Sequence, residues 1–282
     1  MEGDSYTVAH DLQRRDASDI VEEFTDELAA MHGTCIDIGC GPGNITNDLI
    51  LTKLPNDANI IGVDISNSMI KKAQENHNNE KRLKFFPLNI ETDCFPITEI
   101  EKYDSAVSFY CLHWCQNMRK ALNNIYKLLR PGGHGLVMFL SYNDGFEAYK
   151  RIQNNPRFKM YLEDTMKYVP AFQNCSNPRA TMKKLLEETG FEVLHCSNRE
   201  KTYIYESIET LQNHIIAVNP FVHRMPDDIK NEYVNEITKE IARGKILFKN
   251  KKNTSQGYSV LDRYRLLIAY FRKPYNSIII QR

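Results

Sequence analysis

What this chain lacks narrows its function first. It has no excess of charge of either sign: 36 Lys and Arg stand against 36 Asp and Glu in 282 residues. A balanced surface leaves no electrostatic footprint for nucleic acid or an anionic bilayer. The short basic cluster Lys249–Lys252 reads as a solvated loop or helix end. Long apolar runs are missing too. The longest, Leu136–Leu140, falls well short of the roughly 20 residues a membrane helix needs. The opening MEGDSYT is acidic and polar, unlike a signal or transit peptide. The seven cysteines are odd in number and include no C-x-x-C pair. This argues against a disulfide framework or a structural zinc, and reduced thiols fit a cytoplasmic protein. No internal repeat or low-complexity stretch is visible, and Trp114 is the single tryptophan.

What is present is an alternation of short apolar runs with helical patterns, the pattern of βαβ units around a parallel sheet. Strands are predicted at Thr34–Ile38, Asn59–Asp64, Leu83–Leu88, Tyr103–Phe109 and Gly135–Leu140. Helices are predicted at Asn44–Lys53, Ser66–Asn76 and Asn117–Leu129, the last stopped by Pro131-Gly132-Gly133. Beyond Leu140 the texture changes. Aromatics recur at helical spacing through Phe146–Val169, an amphipathic helix is expected at Pro178–Thr189 and another at Asp227–Ala242, and late strands at Phe191–Cys196 and Leu266–Arg272. The pattern matches, by analogy, an α/β class I methyltransferase Rossmann-like fold: a seven-stranded sheet, its last strand antiparallel, with a helical substrate lid. The expected division is 1–140, an N-terminal helix and the cofactor-binding half of the core, and 141–282, the remaining strands with the helical insertions of the lid.

The strongest motif is D-I-G-C-G-P-G, Asp37–Gly43, between a strand and a helix. Glycines there let the backbone approach a ligand and adopt positive φ. A nicotinamide fingerprint wants its third glycine three residues after the second. Asn44 stands at that position, and the third glycine is Gly43. Asp37 would repel a pyrophosphate but can accept from the ammonium of a methionine moiety. The loop, with Gly39 and Gly41, therefore predicts a site for S-adenosyl-L-methionine, leaving S-adenosyl-L-homocysteine as product. Asp64 ends the second strand, at the distance that suits both ribose hydroxyls. Ile65 and Met69 can flank the adenine. Asn89 and Ile90 end the third strand, where Asn89 can accept from the adenine amino group without charge assistance. Ser108, near the end of the fourth strand, joins this cofactor set.

Five segments carry a resemblance: L-Q-R-R-D-A (Leu12–Ala17), D-I-G-C-G-P-G-N-I-T, G-V-D-I-S, S-F-Y-C-L-H-W (Ser108–Trp114) and N-P-F (Asn219–Phe221). Together they resemble the insect juvenile hormone acid O-methyltransferases over nearly the whole chain. The glycine loop is shared by many methyltransferases, whereas S-F-Y-C-L-H-W combined with L-Q-R-R-D-A is far more specific. The resemblance implies methyl esterification of farnesoic acid or juvenile hormone acid. It also implies that Gln13 and Trp114 orient the acceptor carboxylate. His113 matches the family's histidine, with acceptor orientation or cofactor contact on one side and a satisfied core histidine on the other both open. Arg15 is placed to meet the methionine carboxylate, or like Arg14 is a surface charge. Asn89 departs from the acid common at its position.

The chemistry is consistent with that assignment. A carboxylic acid, with a pKa of roughly 4, is already an anion at neutral pH and needs neither base nor metal. It needs donors that aim one oxygen, and the Gln13 amide and the Trp114 indole are neutral donors of that kind. A long tail needs a concave apolar wall, for which Tyr142, Tyr149, Tyr161, Val218 and Phe221 are the candidates. The expected partner is a small apolar carboxylic acid; nucleic acid is not expected, and a homodimer is left open. Two alternatives stand beside this reading: a paralogue acting on fatty or other small acids, and a non-catalytic cofactor-binding protein.

Overall fold

The computed structural model describes residues 3–249 and 257–275. Residues 250–252 of the basic cluster lie outside the described residues. The chain opens with helix α1 (Gly3–Glu23) and the short α2 (Thr25–Ala29). Strand β1 (Thr34–Ile38) leads to a helix that starts at residue 44, widens into a π-turn at Thr46–Ile50 and continues as α3 (Leu51–Lys53). Next come β2 (Asn59–Asp64), α4 (Asn67–Asn76), β3 (Leu83–Pro87), β4 (Tyr103–Phe109), α5 (Met118–Leu128) and β5 (Leu129–Asn143). After α6 (Asp144–Ile152) and α7 (Pro178–Thr189) follow β6 (Glu192–Tyr205), α8 (Ile208–Val218), α9 (Asp227–Ala242), β7 (Ile246–Lys249) and β8 (Tyr258–Arg272).

The sheet order is β3-β2-β1-β4-β5-β8-β6, with β7 paired to β8 as an eighth strand. The pairs β1–β2, β2–β3, β1–β4 and β4–β5 are parallel, and β7–β8 is antiparallel. Gly132 N–H donates to Lys273 O, and farther along β5 Ser141 Oγ donates to Arg265 O, farther back along β8. The last strand therefore runs against the parallel set, the expected reversal. β1 and β4 are buried along most of their length because parallel strands covered on both faces need apolar side chains on both.

The helix starts follow local capping. Ser66 accepts from Met69 N at 3.4 Å, Asn117 from Lys120 N at 3.0 Å and Asn177 from Ala180 N at 3.1 Å. Three late segments depart from the sequence expectation. Pro131-Gly132-Gly133 does not form a terminating loop: β5 starts directly after α5, and Gly132 pairs with Lys273. The helical aromatic spacing ends at Ile152, beyond which two 3₁₀ turns, Lys159–Tyr161 and Thr165–Tyr168, carry the later aromatics. Strands β6 and β8 are longer than predicted because backbone pairing continues through polar residues.

The chain divides into two compact units. One comprises Asp16–Phe139, Cys175–Asn198 and Leu267–Arg282, and holds the glycine loop. The other comprises Met1–Arg15, Leu140–Asn174 and Arg199–Leu266, and holds α6, α8 and α9. Among the described residues no helix is long and apolar enough to cross a membrane.

Candidate active site

The glycine loop is built by β1 and β2. Gly39 N and Cys40 N donate to Val63 O at 2.7 and 3.0 Å, which folds the loop back onto the second strand. Gly39 has φ +77, and a Cβ there would fall on the Cys111 side chain. No other residue fits that position. At Gly41 nothing lies within 4 Å of where a Cβ would stand, so the loop has an open floor there. Its N–H donates to Asp64 Oδ2 at 3.1 Å, and Ser66 N donates to Oδ1 at 2.8 Å. Each Asp64 oxygen thus keeps lone pairs for a further donor.

Asp37 is buried at the end of β1 and accepts from Thr46 Oγ1 at 2.6 Å. Burial pushes its carboxyl up to about 7; the Thr46 hydroxyl opposes this rise and the nearby Asp64 adds to it. A carboxyl poised in this way gains from a cationic ligand. Thr46 opens the π-turn, and such turns recur at functional sites. No residue pattern in the sequence announced the turn or the Thr46 contact. Ile65 is 70% exposed beside this loop and Met69 is half-buried. Asn89 is exposed, its Oδ1 already accepting from Glu91 N at 2.9 Å. Ile90 is buried and its carbonyl accepts from Asn124 Nδ2 at 2.7 Å. Ser108 is fully buried, and its hydroxyl donates to Ile38 O at 2.8 Å, clipping β4 to β1. An open floor at Gly41, an exposed apolar side chain at Ile65 and two acids at Asp37 and Asp64 fit the ribose, adenine and ammonium of S-adenosylmethionine.

The fourth strand continues in the same unit into a 3₁₀ turn, Leu112–Trp114. His113 is buried, and burial alone pushes its imidazole down to about 3, so it is neutral. Its ring lies 4.7 Å from that of Trp114, which is 38% exposed. Gln13 and Arg15 belong to the other unit. Gln13 is half-buried on α1. Arg15 Nη2 donates to Thr202 O at 2.9 Å and to Tyr264 Oη at 2.7 Å, and its guanidinium lies over the Tyr203 ring. Those contacts give Arg15 a role in anchoring α1 that its sequence position did not reveal.

The wall candidates separate into two groups. Tyr149 and Phe221 are buried and meet edge to face at 5.3 Å. Tyr161 and Val218 are half-buried. Tyr142 is a correction: its hydroxyl donates to Asp144 Oδ1 at 2.7 Å, and it lines a polar cavity of about 310 Å³ with Glu200, Arg263 and Arg265. It faces charge and does not belong to an apolar wall.

Comparison with known proteins accords with this geometry. The family described as "Methyltransferase domain" matches residues 36–134. The chain is 32% identical to a juvenile hormone acid O-methyltransferase of Drosophila melanogaster, over 95% of this chain and 91% of that one. It is 27% identical to the Bombyx mori protein of the same name, over 96% of each. Among solved structures it resembles the YcgJ protein of Bacillus subtilis, with a TM-score of 0.55 and 14% identity, covering 91% of this chain and 98% of that one. The [4+2]-cyclase SpnF aligns with a TM-score of 0.53 and 16% identity, over 90% of this chain and 82% of that one. These two likenesses show the fold alone.

Proposed function

The chain belongs to the juvenile hormone acid O-methyltransferase family, and on that premise we propose that it methylates the carboxylate of an apolar sesquiterpenoid acid such as farnesoic acid or juvenile hormone acid. The observation that carries the reading is Trp114, a partly exposed indole held against a buried, neutral histidine.

S-adenosyl-L-methionine, when bound, supplies an electrophilic methyl group on a sulfonium. Asp37 would accept from its ammonium, Asp64 from its ribose hydroxyls, and Ile65 and Met69 would flank the adenine. The acceptor arrives ionised, so no residue has to remove a proton. His113, with its imidazole pushed down to about 3, is a poor base and carries no charge. Its place against Trp114 suits it to hold the indole ring. The indole N–H and the Gln13 amide would aim one carboxylate oxygen as neutral donors. Neutral donors orient the anion without the strong ion pair that would quench its nucleophilicity. Orientation of this kind can supply about 7 kcal/mol or more of barrier lowering. Tyr149, Tyr161, Val218 and Phe221 would line the tail's wall.

A second reading, in which the acceptor is a short acid with more than one carboxylate, would use Arg263 and Arg265, which share their cavity with Asp144 and Glu200. Labelled cofactor with a panel of terpenoid, fatty and short polycarboxylic acids separates the two. The proposal expects methyl ester from farnesoic acid. Ester from the polyacids alone supports the second reading, and no ester from any acid contradicts both.

A further inference from the structure

Tyr110 is the residue on which the fourth strand turns toward Trp114. Its backbone has φ +54, in the left-handed region that a non-glycine residue enters at a cost. Such a conformation persists only where surrounding contacts enforce it, and here they come from two sides. Tyr110 N donates to Met138 O at 2.9 Å, which keeps the turn tied to β5. Tyr110 Oη donates to Asp16 Oδ2 at 2.6 Å, across 94 positions of sequence. Asp16 is fully buried on α1, so this bond is shielded from water. From the Tyr110 ring the contacts run on. Its ring meets His113 edge to face at 6.3 Å, and His113 lies 4.7 Å from Trp114. Asp16, Tyr110, His113 and Trp114 therefore form one continuous line of contacts within a single unit.

We propose that Asp16 and Tyr110 are positioning residues for methyl transfer, holding the Trp114 indole at the angle its carboxylate contact requires; this rests on the role given to Trp114 above. Neither touches the reacting atoms. Asp16 fixes the Tyr110 hydroxyl, the ring braces His113, and His113 sets Trp114. The sequence places Asp16 in the same motif as Gln13, three residues on.

Trp114 is the chain's only tryptophan, so its fluorescence reports on this turn without reference to activity. Tyr110→Phe keeps the ring and removes only the hydroxyl. The expected result is a shifted emission maximum and stronger acrylamide quenching. Turnover of farnesoic acid should fall about tenfold, with cofactor affinity unchanged. Asp16→Asn keeps an oxygen that can accept and should retain most turnover, whereas Asp16→Ala should lose at least as much as Tyr110→Phe. The double variant Tyr110→Phe with Asp16→Ala should lose no more than Asp16→Ala alone, because that variant already breaks the Tyr110 bond. Unchanged emission with unchanged turnover overturns the proposal. So does shifted emission with unchanged turnover, or a parallel loss of cofactor binding, which would mark general collapse. Wild-type turnover in Trp114→Phe would instead remove the carboxylate reading, while the emission of Tyr110→Phe would still report the brace.

Discussion

The glycine loop and the surroundings of Lys245 hold their carboxylates in different ways. In the glycine-loop unit, buried Asp37 and Asp16 accept from hydroxyls, those of Thr46 and Tyr110. In the other unit, Asp262 and Asp144 both bond the Lys245 ammonium, whose side chain is 1% exposed. Arg224 likewise bonds Asp164 at 2.5 Å. The difference separates a receiving site from a brace. At Asp37 the hydroxyl contact does not cancel the carboxylate charge, so a cationic ligand stabilises it. An ion-paired acid already has its counter-ion and holds structure. The Asp37 carboxyl, pushed up to about 7, belongs to the first kind.

The largest effect expected from breaking this comparison is at the brace. Lys245→Met leaves the buried Asp262 and the half-buried Asp144 without their cation and should cost about 3–5 kcal/mol of stability at neutral pH, read by urea denaturation. Burial already holds the Asp262 carboxyl above its ordinary range. Its folded pKa in the variant lies still higher, so the loss should shrink as pH falls and Asp262 protonates. A loss below about 1 kcal/mol, in the range of exposed pairs, would make Lys245 no brace.

The next effect is at the receiving site. Asp37 has its folded pKa raised, so its contribution to the stability of the ligand-free protein is present below about 4 and lost as pH rises through about 7. Cofactor binding has the opposite sign, because the ammonium prefers the ionised carboxyl. Affinity measured by calorimetry should fall about tenfold from pH 8 to pH 6, with proton release on binding near neutrality. Asp37→Asn should weaken binding at pH 8 by roughly 1.5–3 kcal/mol and abolish the slope. A pH-independent affinity in the wild type would show that Asp37 does not meet the ammonium.

Thr46→Val should give the smallest change. Removing the hydroxyl withdraws the contact that holds the Asp37 carboxyl down, so the midpoint of the cofactor-binding profile should move to higher pH. At pH 7 the affinity should drop several-fold, with a net cost of about 1 kcal/mol for the lost hydrogen bond. An unmoved midpoint would assign Thr46 to the π-turn alone.

The same comparison explains what the sequence made legible. In the glycine-loop unit, strands are short apolar runs closed by glycine or a capping residue. Thr34–Ile38 and Asn59–Asp64 could be bounded to the residue, and Asp37, Gly39, Gly41 and Asp64 come together in one loop. In the late strands, pairing and not pattern sets the limits. The polar run Ser197–Lys201 has no apolar alternation to mark it, yet it lies inside β6. The Tyr110–Asp16 bond spans 94 residues and the Arg15–Tyr264 bond 249, distances over which no local periodicity operates. The residue type of Tyr142 suits an apolar wall, and only its partner Asp144 shows that its hydroxyl faces charge.

Ester formation by Trp114→Phe, compared with wild type at saturating cofactor, tests the account most directly. Phenylalanine keeps an aromatic ring against His113 but has no N–H to offer the carboxylate. The account predicts farnesoic acid methyl ester from the wild type and a turnover lower by about 10²–10³ in the variant, with cofactor affinity unchanged. Full turnover by Trp114→Phe would contradict it.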